Sequence, residues 1–382
     1  MAANAPAPTG DTVTSGSAAA SNVDPVQTAP APPASSRAPI RPQSSEPADE
    51  RIVREWSELW RQRGGELAAG ELVDVVASDA GLTVAEGAAT GSLTSVAYSS
   101  AFPFDEVVPS WQVDTAGGSE IKVEVRALLQ PGWTGWYTLG FWGDNARSQR
   151  GQDDANARVA IDTLKLRQPA TAVQYRVTLT RGAEVAPLLR GFAVSLADSG
   201  RVAANVSPVR PEMARDLDVP RRSQLQDGGS LANEICSPTS LGMVLGFWDV
   251  VQPTQQVVRG VYDRGAGIYG NWPFNTAYAA SLGVTAFVDR FNSITDLEDE
   301  IAAGRPVIIS VNYREGELAG AYLRRTGGHI LVVRGITSDG SVIVNDPFSP
   351  DAGSVRRVYR RDQVAKVWLN NAGGVVYRLS RE

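Results

Sequence analysis

The chain has 382 residues, 43% hydrophobic and 20% charged, with a formal net charge of −6. That balance suits a globular protein of two domains plus a tail, and the acidic sign gives no support to nucleic-acid binding. A single cysteine excludes an intramolecular disulfide and a multi-cysteine zinc site; with a single histidine besides, neither a protein-held transition metal nor any cofactor is expected.

Residues 1–50 are rich in Ala, Pro, Ser and Thr and too poor in large apolar side chains to offset ordering entropy, so they read as a disordered tail. The start, Met-Ala-Ala-Asn-Ala-Pro, has no basic or apolar segment of a signal peptide, and no stretch approaches the ~20 apolar residues of a membrane span. An extracellular or cell-surface protein is nevertheless expected, because such a tail and two-domain layout are common among exported relatives of chains it resembles, with a cytoplasmic one as the alternative.

Residues 51–199 are expected to form a short helix followed by an all-β sandwich, jelly-roll-like. Ile52, Trp56, Leu59 and Trp60 share one face of a helix over Glu50–Leu67. From Leu72 to Leu196 alternating segments such as Ile121–Leu128, Trp136–Trp142, Tyr175–Leu179 and Leu189–Val194 are separated by turns rich in Gly, Pro, Asp and Asn. Trp111, Trp133, Trp136 and Trp142 offer faces for a glycan or other cell-surface ligand, with core packing as the competing reading. Asp144, Asp153 and Asp154 fit no calcium loop and read as solvated. Residues 200–220, with Pro208, Pro211 and Pro220, read as a linker.

Residues 221–382 carry the chemistry. Leu241, Val244, Leu245 and Trp248 make the apolar stripe of a buried helix, and Pro238 suits its first turn. Cys236 therefore stands at the helix N-terminus, where the dipole and free N–H groups favour a thiolate. His329, the only histidine, follows Gly327 and Gly328 and opens the strand Ile330–Val333. An Asp339-Gly340 turn leads to a second strand that ends at Asp346-Pro347, so His329 and Asp346 are expected at the same end of a hairpin. Asp346 would then hold the imidazole tautomer, with its neighbour Asn345 as the fallback if the register is shifted. Trp272 and Phe274 read as walls of a substrate cleft beside Gly328, with core packing between helices as the alternative. Helices first and an antiparallel sheet after is an α+β plan of the papain-like kind.

Arg222-Ser-Gln224, Cys236-Ser-Pro-Thr-Ser240, Gly270–Asn275, Gly304-Arg-Pro-Val307, Gly328-His329 and Asn345-Asp-Pro347 occur in this order over about residues 215–380. In this the chain resembles the papain-clan cysteine peptidases related to the bacteriocin-processing, double-glycine (C39-like) peptidases, in a stand-alone form. The resemblance implies Cys236 as nucleophile, His329 as base, Asp346 as orienter and an upstream glutamine as oxyanion donor. Gln224 is preferred for the last role over Gln226, although the interval to Cys236 is longer than in many relatives. The implied activity is hydrolysis of peptide bonds in a peptide or protein substrate. A non-catalytic binding protein and an acyl or amide hydrolase acting on a non-protein substrate are the alternatives.

Overall fold

The computed structural model describes residues 50–203 and 206–381. The expected tail, up to residue 49, lies outside the described residues.

The N-terminal part is β-rich. A 12-stranded antiparallel sheet is built around β1 (Glu50–Val53), β2 (Ser57–Arg63), β3 (Tyr98–Asp114), β4 (Glu120–Leu128), β5 (Thr163–Thr180) and β6 (Leu188–Ala197). β6 lies between β2 and β3, and β3 pairs with β5 on its other side. β5 breaks register between Ala170 and Ala172. Its first half pairs with β3, and its second half pairs with β4 and with Thr90–Thr94.

The helix expected over Glu50–Leu67 is instead the β1–β2 hairpin, with Ile52 opposite Leu59. β2 is buried on both faces: Leu59 packs on Ala193 and Phe287, while Trp60 joins the main core of the β-rich part and stacks on Tyr98 with ring centroids 4.4 Å apart. A strand covered on both sides loses its two-residue alternation, so its apolar residues also fit a helical spacing. The intervening polar groups are satisfied across the sheet. Buried Glu58 accepts from Arg51 Nε at 2.7 Å and from the Ala101 N–H at 2.8 Å.

The C-terminal part is α+β. Its helices include α1 (Gln224–Asp227), α2 (Cys236–Phe247) and α3 (Trp272–Ser281). Its seven-stranded sheet contains β7 (Thr285–Arg290), β8 (Val307–Tyr313), β9 (Thr326–Ile336), β10 (Val342–Asn345), β11 (Arg356–Tyr359) and β12 (Val375–Ser380), in the order β7-β12-β8-β9-β10-β11. α2 is covered nearly all round: Ser237 to Leu245 are all buried, which places the nucleophile's helix in the middle of the core. The stretch expected to be a linker is only partly one. Arg215–Asp216 pairs with β9, and Leu217 and Val219 are buried in the C-terminal core.

The two parts meet across a packed seam. Phe274 of α3 enters the core of the β-rich part, Val288 and Val375 pack on Val108, and the Val288 N–H donates to Ser110 Oγ at 3.1 Å. Charges at the seam are paired. Arg54 bridges Asp289 at 3.1 Å, and Arg290 bridges Glu106 at 2.5 Å. Pairing of this kind is what tolerates burial of ions, because losing one partner strands the other.

Candidate active site

Cys236 is the first residue of α2 and is partly accessible. The His329 side chain and the backbone N–H groups of Ser237 and Ile330 are near enough to its thiol to favour the ionised form. His329 is 2% exposed on β9, and its Nε2 lies 2.8 Å from Asp346 Oδ1. With Nε2 turned to the carboxylate, Nδ1 is the nitrogen left to face the thiol. The β9–β10 pairing sets Val332 opposite Asn345, and Asp346 follows directly after β10, a short step along β9 from His329.

Asp346 is itself held from three sides. Besides His329, the Phe348 N–H donates to Oδ1 at 3.0 Å and the Tyr359 hydroxyl donates to Oδ2 at 2.8 Å. The Phe348 contact makes Asp346 the start of a tight turn through Pro347, and the same carboxylate serves both the turn and the imidazole. Asn345 faces the other way: its Nδ2 donates to the carbonyls of Val219 and Pro220, so it does not orient the histidine.

The electrostatics follow from this packing. Burial disfavours the His329 imidazolium, but Asp346 and the Cys236 sulfur outweigh it and raise its pKa to about 10. Burial likewise disfavours the thiolate, but His329 and the two backbone N–H groups outweigh it and hold the thiol below its ordinary value. Burial also opposes the Asp346 carboxylate, which His329, Tyr359 and the Phe348 N–H nevertheless keep ionised to lower pH. All three shifts favour a thiolate–imidazolium pair with a carboxylate behind it.

Gln224 and Gln226 part company. Gln224 is 1% exposed; its N–H donates to the carbonyl of Pro347, next to Asp346, and its Nε2 gives one hydrogen to Ala232 O at 2.7 Å. A second Nε2 hydrogen remains to be donated. Gln226 is exposed. Gly328 is exposed too, and a Cβ built on it or on Gly327 meets nothing within 4 Å. Its φ is not positive, so the protein's own atoms do not require glycine there. Open space therefore lies directly before His329.

Phe274 is not a cleft wall. It is fully buried, edge-on to Trp111 and Trp142 with centroids 6.0 and 5.3 Å away. Trp272 lines a cavity of about 480 Å³ together with Trp56, Asp162 and Arg290 of the seam, and none of Cys236, His329, Asp346 or Gln224 lines it. The start of α3 turns both residues toward the β-rich part instead of the site.

In that part Trp111 and Trp142 are core residues. Trp133 and Trp136 carry the Arg126 guanidinium on their faces at 4.8 and 4.6 Å, and Arg176 covers Trp136 at 4.5 Å. Asp153 pairs with Arg167, and Asp154 accepts from the Tyr137 hydroxyl and the N–H groups of Asn156 and Ala157. Among the described residues no group of three His, Cys, Asp or Glu is placed to hold a metal ion, and no helix is long and apolar enough to cross a membrane.

Four further residues at the site escaped the sequence reading. Tyr359 supports Asp346. Ser237, whose hydroxyl donates to Asn275 Oδ1 at 2.9 Å and lies 3.0 Å from the Tyr377 hydroxyl, supports the nucleophile from behind. Asn275 lay within the quoted Gly270–Asn275 segment, a signal that could have singled it out. The tyrosines lie on β11 and β12 with no local signal.

Two family models match adjoining stretches of the chain. Residues 216–376 match the Peptidase C39 like family, and residues 58–197 match the Peptidase C39 N-terminal domain. Three solved structures show lower similarity. A double glycine motif protease from an AMS/PCAT transporter, in complex with the leader peptide, is 18% identical, with a TM-score of 0.31 and coverage of 44% of this chain and 94% of that one. A C39-like peptidase from Bacillus anthracis is 16% identical, with a TM-score of 0.30 and coverage of 47% and 100%. The peptidase domain of Streptococcus ComA, a bi-functional ABC transporter, is 16% identical, with a TM-score of 0.29 and coverage of 39% and 93%. A search of curated proteins gave no match. On these two adjoining matches, residues 216–376 belong to the C39-like family of cysteine-type peptidases, preceded over residues 58–197 by the N-terminal domain found with such peptidases.

Proposed function

We propose that the protein hydrolyses peptide bonds through a Cys236-His329-Asp346 triad and a covalent acyl-enzyme. The observation that carries this reading is the approach of the chain's one thiol to its one imidazole, which a buried carboxylate holds from behind at 2.8 Å. The Cys236 thiolate attacks the scissile carbonyl, and the C–N bond breaks as the His329 imidazolium passes its proton to the leaving amine. Water then attacks the thioester, giving a proton to the now neutral imidazole, and cleavage of the C–S bond releases the acid and returns the thiolate–imidazolium pair. Asp346 keeps the imidazole in the tautomer that faces the sulfur, and Tyr359 keeps Asp346 in place. The second Nε2 hydrogen of Gln224 and the Cys236 backbone N–H supply two donors for the oxyanion. A substrate backbone fits the open space at Gly328.

We read residues 51–199 and 221–382 as two domains, the first a sandwich bent at the register breaks of its longest strands, and place the protein at the cell exterior. A peptide library incubated with the full chain, with products and enzyme followed by mass spectrometry, tests the function. The expected result is new amino termini together with a transient acyl mass on Cys236. Cleavage without an acyl adduct under rapid acid quench, or no cleavage of any peptide, would refute this reading.

A further inference from the structure

We infer that Asp162, in the β-rich N-terminal part, is a positioning residue for the nucleophile, acting through the first turn of α3 and Ser237. The inference rests on the triad reading above. Asp162 is 7% exposed and sits in the turn between Ala157–Ala160 and β5, just after Ile161, whose φ is 64°. Its Oδ1 accepts from Thr163 Oγ1 at 3.1 Å, and its Oδ2 accepts the backbone N–H of Trp272 at 2.9 Å. Trp272 is the first residue of α3, and its N–H is one that a helix cannot satisfy from within. The next residue, Pro273, has no N–H at all. A carboxylate at a helix N-terminus is also favoured by the dipole. The N-terminal part thus supplies a cap for a helix of the catalytic part.

A second contact braces the same turn. Asn271 accepts the Phe274 N–H at 3.2 Å and donates to Asp263 Oδ2 at 2.9 Å, and Asp263 Oδ1 accepts the N–H of Ser148 at 2.8 Å. Asn275, in the turn so fixed, has both amide hydrogens committed to the carbonyls of Tyr269 and Asn271, at 2.9 and 2.8 Å. Its Oδ1 is thereby aimed at Ser237 Oγ, 2.9 Å away. Ser237 directly follows Cys236 in the first turn of α2. A short run of directional contacts through buried and half-buried groups therefore leads from Asp162 to the residue beside the nucleophile, where small misplacements are costly.

The test uses the full chain with Asp162→Ala and Asp162→Asn. It reads thermal stability, kcat and KM on a cleaved peptide, and the pH dependence of iodoacetamide alkylation of Cys236. Asp162→Ala is expected to lower kcat and the neutral-pH alkylation rate on the order of tenfold, with KM within about twofold. Asp162→Asn keeps an oxygen acceptor for the Trp272 N–H and is expected to recover most of the loss. A residue that merely glues the two parts together would lower thermal stability and leave the alkylation profile of the folded protein unchanged. That result, or an unchanged kcat, overturns the inference. Should Asp162→Ala fail to fold, Ser237→Ala tests the last link and is expected to shift the profile in the same direction; an unshifted profile refutes it. Failure of the triad reading itself shows in the unmutated protein, as an alkylation rate that rises only near the ordinary thiol pKa of about 8.5.

Discussion

Cys236→Ala is expected to abolish peptide hydrolysis, lowering kcat by about four to six orders of magnitude while the protein stays folded. Removing a nucleophile takes away the covalent route, and what survives is binding and oxyanion stabilisation. No other thiol can substitute, since the chain has one cysteine. The fold should tolerate the change: Cys236 is partly exposed, sits at the first position of α2 and packs only at the margin of the core. Alanine is a good helix former, and little apolar surface is lost. Initial rates on a cleaved peptide, with circular dichroism as the folding control, measure both. Retention of more than about a tenth of the activity in the folded variant would rule out a cysteine mechanism.

Phe274→Ala is expected to cost about 3–5 kcal/mol, the range for emptying a buried aromatic site. The ring leaves the catalytic part, inserts between Trp111 and Trp142, and comes so close to the backbone that a Cβ on Gly140 would lie 2.9 Å from it. Rigid tryptophans on two sides leave the cavity little room to collapse. Urea unfolding of wild type and variant, compared at equal m-value, reads the loss directly. A loss below about 1 kcal/mol would mean that the seam is not a shared core. The same packing predicts that activity falls with stability here, because Phe274 lies one residue before Asn275, which steadies Ser237 behind the nucleophile.

The parts of the site that were legible in the sequence have local causes. Pro238 and the Leu241–Val244–Leu245–Trp248 stripe mark where α2 begins, and thus place Cys236 at its end. The Asp339-Gly340 turn sets the β9–β10 register, and with it the approach of Asp346 to His329. What was misread depends on partners far away in the chain. β2 looked helical because its second face is covered by Phe287, a residue of the other part. Phe274 looked like a cleft wall because nothing local announces the Trp111 and Trp142 surface that receives it. Leu217 and Val219 looked like linker because their proline-rich surroundings conceal an edge strand and two core side chains. Tyr359 and Asp162 act through single hydrogen bonds that no periodicity encodes.

The central claim is that Cys236 and His329 form an ion pair at neutral pH, and the alkylation rate of Cys236 by iodoacetamide against pH, in wild type and His329→Ala, tests it most directly. The His329 pKa is raised, so the imidazolium persists below about pH 10 and is lost as pH rises through it; the thiol pKa is lowered, so the thiolate survives as pH falls below the usual thiol range. The rate should therefore stay high well below pH 8.5 in wild type, and at neutral pH should drop about tenfold or more in His329→Ala, whose thiol titrates as an ordinary one. A rate that climbs only near pH 8.5 in both proteins would contradict the ion pair.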